Sequence, residues 1–176
     1  MFLLEITGGL VAILHRLTCA TKRAKSKRSA HVLKTIDPLI SPELLTALAR
    51  MGHGDTLAVV DNNYPAYAAG APVIRLDSVN AVDAIRAITS LLPVDDFIPE
   101  PVARMAIVGD ADTVPAAATD VLQLIEAVEG RAIGVEVLER WAFYERAKTV
   151  AAVVATGETR PYGCFILTKG VIRSGA

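Results

Sequence analysis

Short apolar runs rich in β-branched residues alternate along this chain with stretches of helical periodicity. Each run has the length and the nearly continuous apolar character of a buried strand. The predicted strands are Thr56–Val60, Val73–Leu76, 104–108, Val135–Leu138 and 150–155. The predicted helices are 42–51, 80–92, 115–129 and 141–148. Strands that alternate with helices are typical of an α/β layered domain with a largely parallel sheet.

The length and the cysteine content limit the architecture further. With 176 residues and 52% hydrophobic residues, the chain can bury one sizeable core but is too short for two ordinary domains. Its two cysteines, Cys19 and Cys164, do not make a disulfide framework, which indicates a reducing compartment. We therefore expect one domain and a cytoplasmic location.

The stretch from Met51 to Asp61 carries the first candidate chemistry. His53 lies between two glycines, and Asp61 directly follows the predicted strand Thr56–Val60. Ligands of open α/β sheets bind just outside such strand ends. His53 and Asp61 stand on opposite sides of that strand, so they can share a pocket only if the chain folds back. Without further support, the histidine could equally be a loop residue and the aspartate a turn cap.

The chain lacks the motifs of several classes of chemistry. The chain has no phosphate-binding P-loop and no Gly-x-Gly-x-x-Gly after a strand, so nucleotide use is not indicated. Its histidines are His15, His31 and His53, and none belongs to a His/Cys cluster with metal-ligand spacing. We therefore expect neither a metal nor an organic cofactor. A thiolate nucleophile at Cys164, with His53 as its base, stays open as an alternative.

Several segments together resemble one known family. They are Leu33 to Leu45, Met51 to Asp55, Arg140 to Lys148, Thr156 to Glu158, and Tyr162 with Gly163. In order and spacing they resemble the L-fucose mutarotase and D-ribose pyranase (FucU/RbsD) family, and more closely its fucose branch. The resemblance covers about residues 33–172 and implies a three-layer α/β/α domain with a largely parallel central sheet. It also implies ring-shaped homo-oligomers, commonly decamers, with sites near subunit boundaries.

The resemblance also assigns roles to individual residues. It implies that His53 is the catalytic acid/base, and that Asp61 and Arg140 contact sugar hydroxyls. The segment Tyr162, Gly163 and Cys164 would close the site, with the Tyr162 phenol suited to a sugar hydroxyl. The implied reaction interconverts the anomers or ring forms of a free monosaccharide such as L-fucose without redox change.

The residues are consistent with that reaction. Opening a hemiacetal requires one proton to leave the anomeric hydroxyl and another to reach the ring oxygen, and an imidazole can carry protons in both directions near neutral pH. His53 is the one histidine after residue 31. The alternative is a non-catalytic sugar-binding or transport-accessory protein, which would need Asp61, Arg140 and Tyr162 but no titrating histidine.

Two positions depart from the family pattern. Tyr67 stands where the family usually has histidine, and Cys164 stands where it usually has asparagine. A thiol is a much weaker hydrogen-bonding group than an amide. At least one sugar contact is therefore expected to differ, which affects the identity of the sugar more than the class of reaction.

Residues 1–31 differ in character from the rest of the chain. They carry six Lys/Arg and one Glu, whereas residues 32–176 carry 12 Lys/Arg and 18 Asp/Glu. The apolar part, 2–14, is too short to span a bilayer and lacks the features of a secretory signal. The basic run 22–28 could touch phosphates, but such runs are more often solvated. We expect a basic extension over 1–31 that is disordered or plays no part in the fold and is explicable by an upstream start site. We also expect a sugar domain over 32–176, and neither nucleic-acid nor membrane partners.

Overall fold

The computed structural model describes residues 33–173, and the expected extension over residues 1–31 lies outside them. The helices are α1 (Pro42–Arg50), α2 (Ala81–Thr89), α3 (Ala116–Glu129) and α4 (Arg140–Ala147), with a short 3-10 helix at Ala66–Ala69. The strands are β1 (Thr56–Val60), β2 (Val73–Leu76), β3 (Val102–Met105), β4 (Val135–Leu138), β5 (Ala152–Thr156) and β6 (Phe165–Thr168). None of the helices within 33–173 is long and apolar enough to cross a membrane.

The six strands form one sheet in the order β2-β5-β1-β6-β3-β4. Strands β2, β5 and β1 pair in parallel, as do β3 and β4, while β6 runs antiparallel between β1 and β3. The prediction of a largely parallel sheet is therefore confirmed. The prediction missed β6, which occupies a central position in the sheet.

Helices cover both faces of the sheet. One core joins α1, α2 and α3 to strand residues such as Leu57 and Val59, and the other joins α4 and the 3-10 helix to Ala58 and Val60. Successive strand side chains point to opposite faces, so β1 is apolar at four consecutive positions, 57–60, rather than at alternate ones. The three-layer α/β/α architecture is confirmed.

The ends of the elements follow local chemistry. The Ser41 side chain accepts a hydrogen bond from the Leu44 amide and caps α1, as the sequence indicated. Strand β3 begins and ends earlier than the predicted 104–108, because Ile107 turns back to bridge Asp110. Helix α2 ends at Thr89 and not at the predicted Leu92, although Leu92 stays buried.

Candidate active site

A cavity of about 180 Å³ lies at the carboxyl ends of β1, β3 and β4. Its lining residues are Asp61, Asn63, Tyr64, Met105, Arg140, Tyr144, Pro161, Tyr162 and Cys164. Strands β1, β3 and β4 end here, the usual ligand position in α/β folds, and the loop that enters the antiparallel β6 supplies Pro161, Tyr162 and Cys164. Four residues that the sequence singled out, Asp61, Arg140, Tyr162 and Cys164, therefore meet here, and Gly163 lies between two of them.

Asp61 directly follows β1 and supplies a buried carboxylate to the cavity. Its Oδ1 accepts a hydrogen bond from the Asn63 amide at 3.0 Å, and its Oδ2 accepts one from the Cys164 thiol at 3.5 Å. An ionised carboxylate has about four lone-pair sites. Asp61 therefore retains acceptor capacity for a ligand hydroxyl.

Cys164 is buried beneath this carboxylate, with 1% of its surface exposed. Burial, and then the negative charge of Asp61, raise the pKa of the Cys164 thiol well above its ordinary value. A reactive thiolate requires the opposite shift, which a nearby cation or a helix N-terminus would provide. This environment argues against the alternative in which Cys164 is the nucleophile.

Arg140 begins α4, immediately after the Glu139 side chain that caps the helix by accepting a hydrogen bond from the Trp141 amide. The guanidinium carbon of Arg140 lies 4.8 Å from the centroid of the Trp141 ring. Its Nε is buried and has no hydrogen-bond partner within residues 33–173. A buried donor without a partner costs about 1–3 kcal/mol, so this atom is well placed to donate to an oxygen of a bound ligand.

Tyr64 and Tyr144 form an aromatic wall of the cavity. Their rings meet edge to face with centroids 5.2 Å apart. Burial, with smaller contributions from Cys164 and Tyr144, raises the pKa of Tyr64 to about 12. Burial also raises the pKa of Tyr144. Both phenols therefore stay protonated around neutral pH, able to donate a hydrogen bond while their rings offer an apolar surface.

Neither tyrosine is among the site residues predicted from the sequence. Lys148, one helical turn from Tyr144, pairs with Glu145 on the protein surface and does not reach the cavity lining. The available signal was the position of Tyr64 three residues after Asp61, in a loop that leaves a strand end.

Tyr162 and Gly163 form the tight backbone segment that the sequence indicated. Tyr162 has a φ of 61°, in the left-handed region that non-glycine residues seldom adopt. A Cβ on Gly163 would lie 2.8 Å from the Cγ of Glu158. Glycine at 163 is therefore required by the close approach of the Glu158 side chain.

His53 lies at the other end of the sheet. The neighbouring amide of Gly54 donates to the carbonyl of Lys169, just beyond β6, and β1 then runs from this end to Asp61. The five residues of β1 span about 17 Å at roughly 3.3 Å per residue. Within one chain, His53 therefore does not line the cavity that contains Asp61.

At that end, His53 is paired with a buried acid. Its Nε2 lies 3.1 Å from Oδ1 of Asp95, which is 1% exposed, whereas the His53 side chain is 48% exposed. The Phe97 ring lies 5.1 Å from the imidazole, centroid to centroid. This exposed imidazole, oriented by a buried carboxylate, has the arrangement of a general acid–base group. Asp95 was not predicted as a site residue, because its one signal in the sequence is an Asp95-Asp96 pair in a proline-rich connection.

A larger cavity of about 500 Å³ lies between α1 and the beginnings of β2 and β5. Its walls are mainly apolar, and its charged residues are Glu43, Arg50 and Asp55. We place the candidate active site at the smaller cavity, because that cavity gathers Asp61 and the unpartnered Nε of Arg140. Within residues 33–173, no group of three or more His, Cys, Asp or Glu side chains could hold a metal ion.

Comparisons with known proteins converge on one family. The L-fucose mutarotase of Actinobacillus pleuropneumoniae serotype 5b is 43% identical over 140 residues, which cover 80% of this chain and 97% of the relative. The crystal structure of the Streptococcus pneumoniae fucose mutarotase in complex with L-fucose is 38% identical, with a TM-score of 0.75 over 80% of this chain and 100% of that one. FucU from Bifidobacterium longum is also 38% identical, with a TM-score of 0.73 over the same shares. The model of the RbsD / FucU transport protein family matches residues 34–172, and the chain belongs to this family.

Proposed function

We propose that this protein is a mutarotase, an isomerase that interconverts the anomers of a free monosaccharide of the L-fucose type. The observation that carries the proposal is the 43% identity to L-fucose mutarotase over nearly all of that enzyme's length. The cavity adds physical support, because it combines a buried carboxylate, an unpartnered buried donor and an aromatic wall.

The cavity matches the surface of a sugar. A pyranose presents hydroxyl groups around its rim and C–H groups on its faces. The Asp61 carboxylate can accept from the hydroxyls, Nε of Arg140 can donate to them, and the Tyr64 and Tyr144 rings can cover a C–H face. We assign Asp61, Arg140 and the segment Tyr162 to Cys164 to sugar binding.

The reaction requires balanced proton transfer. A base removes the proton of the anomeric hydroxyl, the bond between the anomeric carbon and the ring oxygen breaks, and an acid protonates that oxygen. Rotation of the open-chain aldehyde and closure on its other face give the second anomer. Positioned acid–base groups accelerate such steps by about 10²–10⁴-fold. We assign the principal proton transfer to His53 oriented by Asp95, and the Tyr162 phenol is our candidate for the second.

The separation of His53 from the cavity suggests how a site could be completed. We propose that the protein forms a homo-oligomer in which the His53–Asp95 pair of one copy covers the cavity of the next, within the ring expected from the family resemblance. Exposed apolar side chains at both places support this: Phe97 (62% exposed) beside His53, and Trp141 (62% exposed) beside Arg140. Exposed apolar patches of this kind are typical of interaction surfaces. Multi-angle light scattering that shows a monomer at micromolar concentration would contradict the assembly.

Saturation-transfer NMR tests the catalytic function. Magnetisation transfer between the two anomeric proton signals of L-fucose should appear with wild-type protein and disappear with His53→Ala. Sugar binding without exchange would instead favour the alternative, a binding or transport-accessory module. If neither exchange nor binding occurs with fucose, ribose, galactose and related sugars, both proposals fail. The cytoplasmic location expected from the cysteine content stays a prediction.

A further inference from the structure

The Glu158 carboxylate is the most heavily hydrogen-bonded acid near the cavity, although it does not line it. Glu158 is 2% exposed and follows β5 in the loop that leads to Tyr162. Its two oxygens accept from the amides of Ala81 and Arg160, at 3.3 and 3.0 Å, and from Nε and Nη2 of Arg160, both at 2.9 Å. These bonds, above all those from the Arg160 side chain, lower the pKa of Glu158 to about 2. The group is therefore a fixed, fully charged anchor at neutral pH.

The same segment holds the end of β1, which is one wall of the cavity. The carbonyl of Glu158 accepts from the amide of Asn62 at 3.0 Å, directly beside Asp61. The Thr156 hydroxyl donates to the carbonyl of Val60 at 2.8 Å and accepts from the amide of Glu158 at 3.3 Å. The backbone on both sides of Asp61 is thus bonded to residues 156–158.

Glu158 also supports the opposite wall. Its Cγ occupies the space into which a Cβ on Gly163 would project, and this contact lies next to the left-handed Tyr162. Arg160, two residues before Tyr162, is fixed between Glu158 and Asp120 of α3, with 2.6 Å from Nη1 to Oδ2 of Asp120. An unusual backbone conformation persists where the surroundings determine it strongly. The Glu158–Arg160 pair provides such surroundings for Tyr162.

We infer that Glu158, together with Arg160, is a positioning residue that sets the distance between the Asp61 and Tyr162 walls of the sugar cavity. This inference rests on the proposed mutarotase function. Displacing a reacting group by about 1 Å can cost about 10²-fold in rate. Loosening this anchor should therefore affect the chemical step more than sugar affinity.

The test compares Glu158→Gln with a matched control in the L-fucose exchange assay. Glu158→Gln keeps the shape but removes the charge and turns one acceptor toward Arg160 into a donor. We expect kcat to fall at least about tenfold, with KM changed less than about threefold, in protein that is folded by circular dichroism. The control is Glu136→Gln, which removes the charge and one of the two acceptors that Glu136 on β4 offers to Arg146 on α4, at 3.0 and 3.1 Å, away from the cavity. It should change kcat less than about twofold.

A double variant separates positioning from general destabilisation. Arg160→Met should lower kcat to a similar degree, and the Glu158→Gln/Arg160→Met double variant should be no worse than either, because both remove the same anchor. If Glu158→Gln does not fold, Asp120→Asn takes its place. This substitution weakens the contact between the exposed Asp120 and Arg160, and it should lower kcat about two- to threefold.

The outcomes are distinct. The inference would be overturned if folded Glu158→Gln had the kcat of the wild-type protein. Where Asp120→Asn replaces Glu158→Gln, a wild-type kcat in Asp120→Asn would overturn it in the same way. So would a loss of kcat in Glu136→Gln equal to that in Glu158→Gln. Absence of exchange in the wild-type protein would overturn the proposed function itself, and the inference with it.

Discussion

The two ends of the central sheet differ in the side chains that they present. The carboxyl end holds a walled cavity with a carboxylate, a guanidinium and three tyrosines, but no imidazole among its lining residues. The opposite end holds an exposed imidazole paired with a buried acid, beside an exposed phenylalanine. In the proposed function, the first end binds the sugar and the other supplies the principal acid–base group.

Two buried aspartates show the same contrast. Asp61 accepts from a backbone amide and from a neutral thiol, which leaves capacity for a ligand. Oδ1 of Asp95 accepts from the amide of Phe97 and lies within hydrogen-bond distance of the His53 ring, so it orients the imidazole. In the proposed function, one buried aspartate therefore binds the sugar and the other orients the acid–base group. If this division is correct, variants at the two ends should fail in different ways.

The largest effect on the rate of anomer exchange is expected at the end of the sheet that carries His53. His53→Ala should lower the rate of anomer exchange by about 10²–10⁴-fold, because it removes the acid–base group while leaving the other end intact. The circular dichroism spectrum and the affinity for L-fucose should change little. A loss of sugar binding as large as the loss of rate would contradict the division between the two ends.

A smaller effect, on sugar affinity rather than on rate, is expected at the end of the sheet that carries the cavity. Arg140→Met should weaken L-fucose binding about 10- to 100-fold, because a hydrogen bond from a charged donor contributes about 1.5–3 kcal/mol. Isothermal titration calorimetry would measure the change in Kd. Unchanged affinity would show that Nε of Arg140 does not meet the sugar.

The hydrogen-bonded Glu158 carboxylate should make the free energy of unfolding depend on pH in the acid range. The pKa of Glu158 is about 2 in the folded protein, below the ordinary value of 4.5. A lowered pKa stabilises the fold above pH 4.5, and this contribution, at most about 3 kcal/mol, is lost as pH falls from about 5 toward 2. Urea unfolding across this range should show a shallower pH dependence for Glu158→Gln than for wild type. Equal slopes would show that Glu158 titrates normally.

The smallest effect is expected at Cys164. Because its thiol is protonated and buried, Cys164→Ser should keep exchange within about threefold of wild type, and iodoacetamide should not inactivate the protein. Cys164→Asn, which introduces the residue usual in the family, should shift preference toward fucose-like sugars in a panel assay. Complete loss of exchange in folded Cys164→Ser would transfer the principal catalytic role from His53 to the thiol.

The sequence predicted those features that depend on local pattern. Four consecutive apolar residues, 57–60, followed by Asp61 were sufficient to identify β1 and its end, since a strand covered on both faces reads as a continuous apolar run. Strand β6 was missed because four residues after a tight turn give little periodicity, and the pattern does not indicate strand direction. Its antiparallel insertion between β1 and β3 is a property of the whole sheet.

The site depended on contacts between distant residues. His53 and Asp95 are in contact although they lie 42 positions apart in the sequence. The Glu158 side chain and the Ala81 amide are 77 positions apart. Neither spacing is a motif, so periodicity and composition could not reveal these pairs. The proposed roles of Arg140 and Tyr162 came from the family resemblance, and the structure then placed both residues beside Asp61.

Complementation between one variant at each end of the sheet tests most directly whether the two ends work together across copies. His53→Ala retains the cavity, and Asp61→Asn retains the His53–Asp95 pair. Co-expressed with different affinity tags and purified through both, they should form mixed oligomers with about a quarter of wild-type exchange, because one boundary in four would join two intact halves. Exchange no higher than that of the separate variants, in mixed oligomers verified by native mass spectrometry, would contradict a site shared between copies.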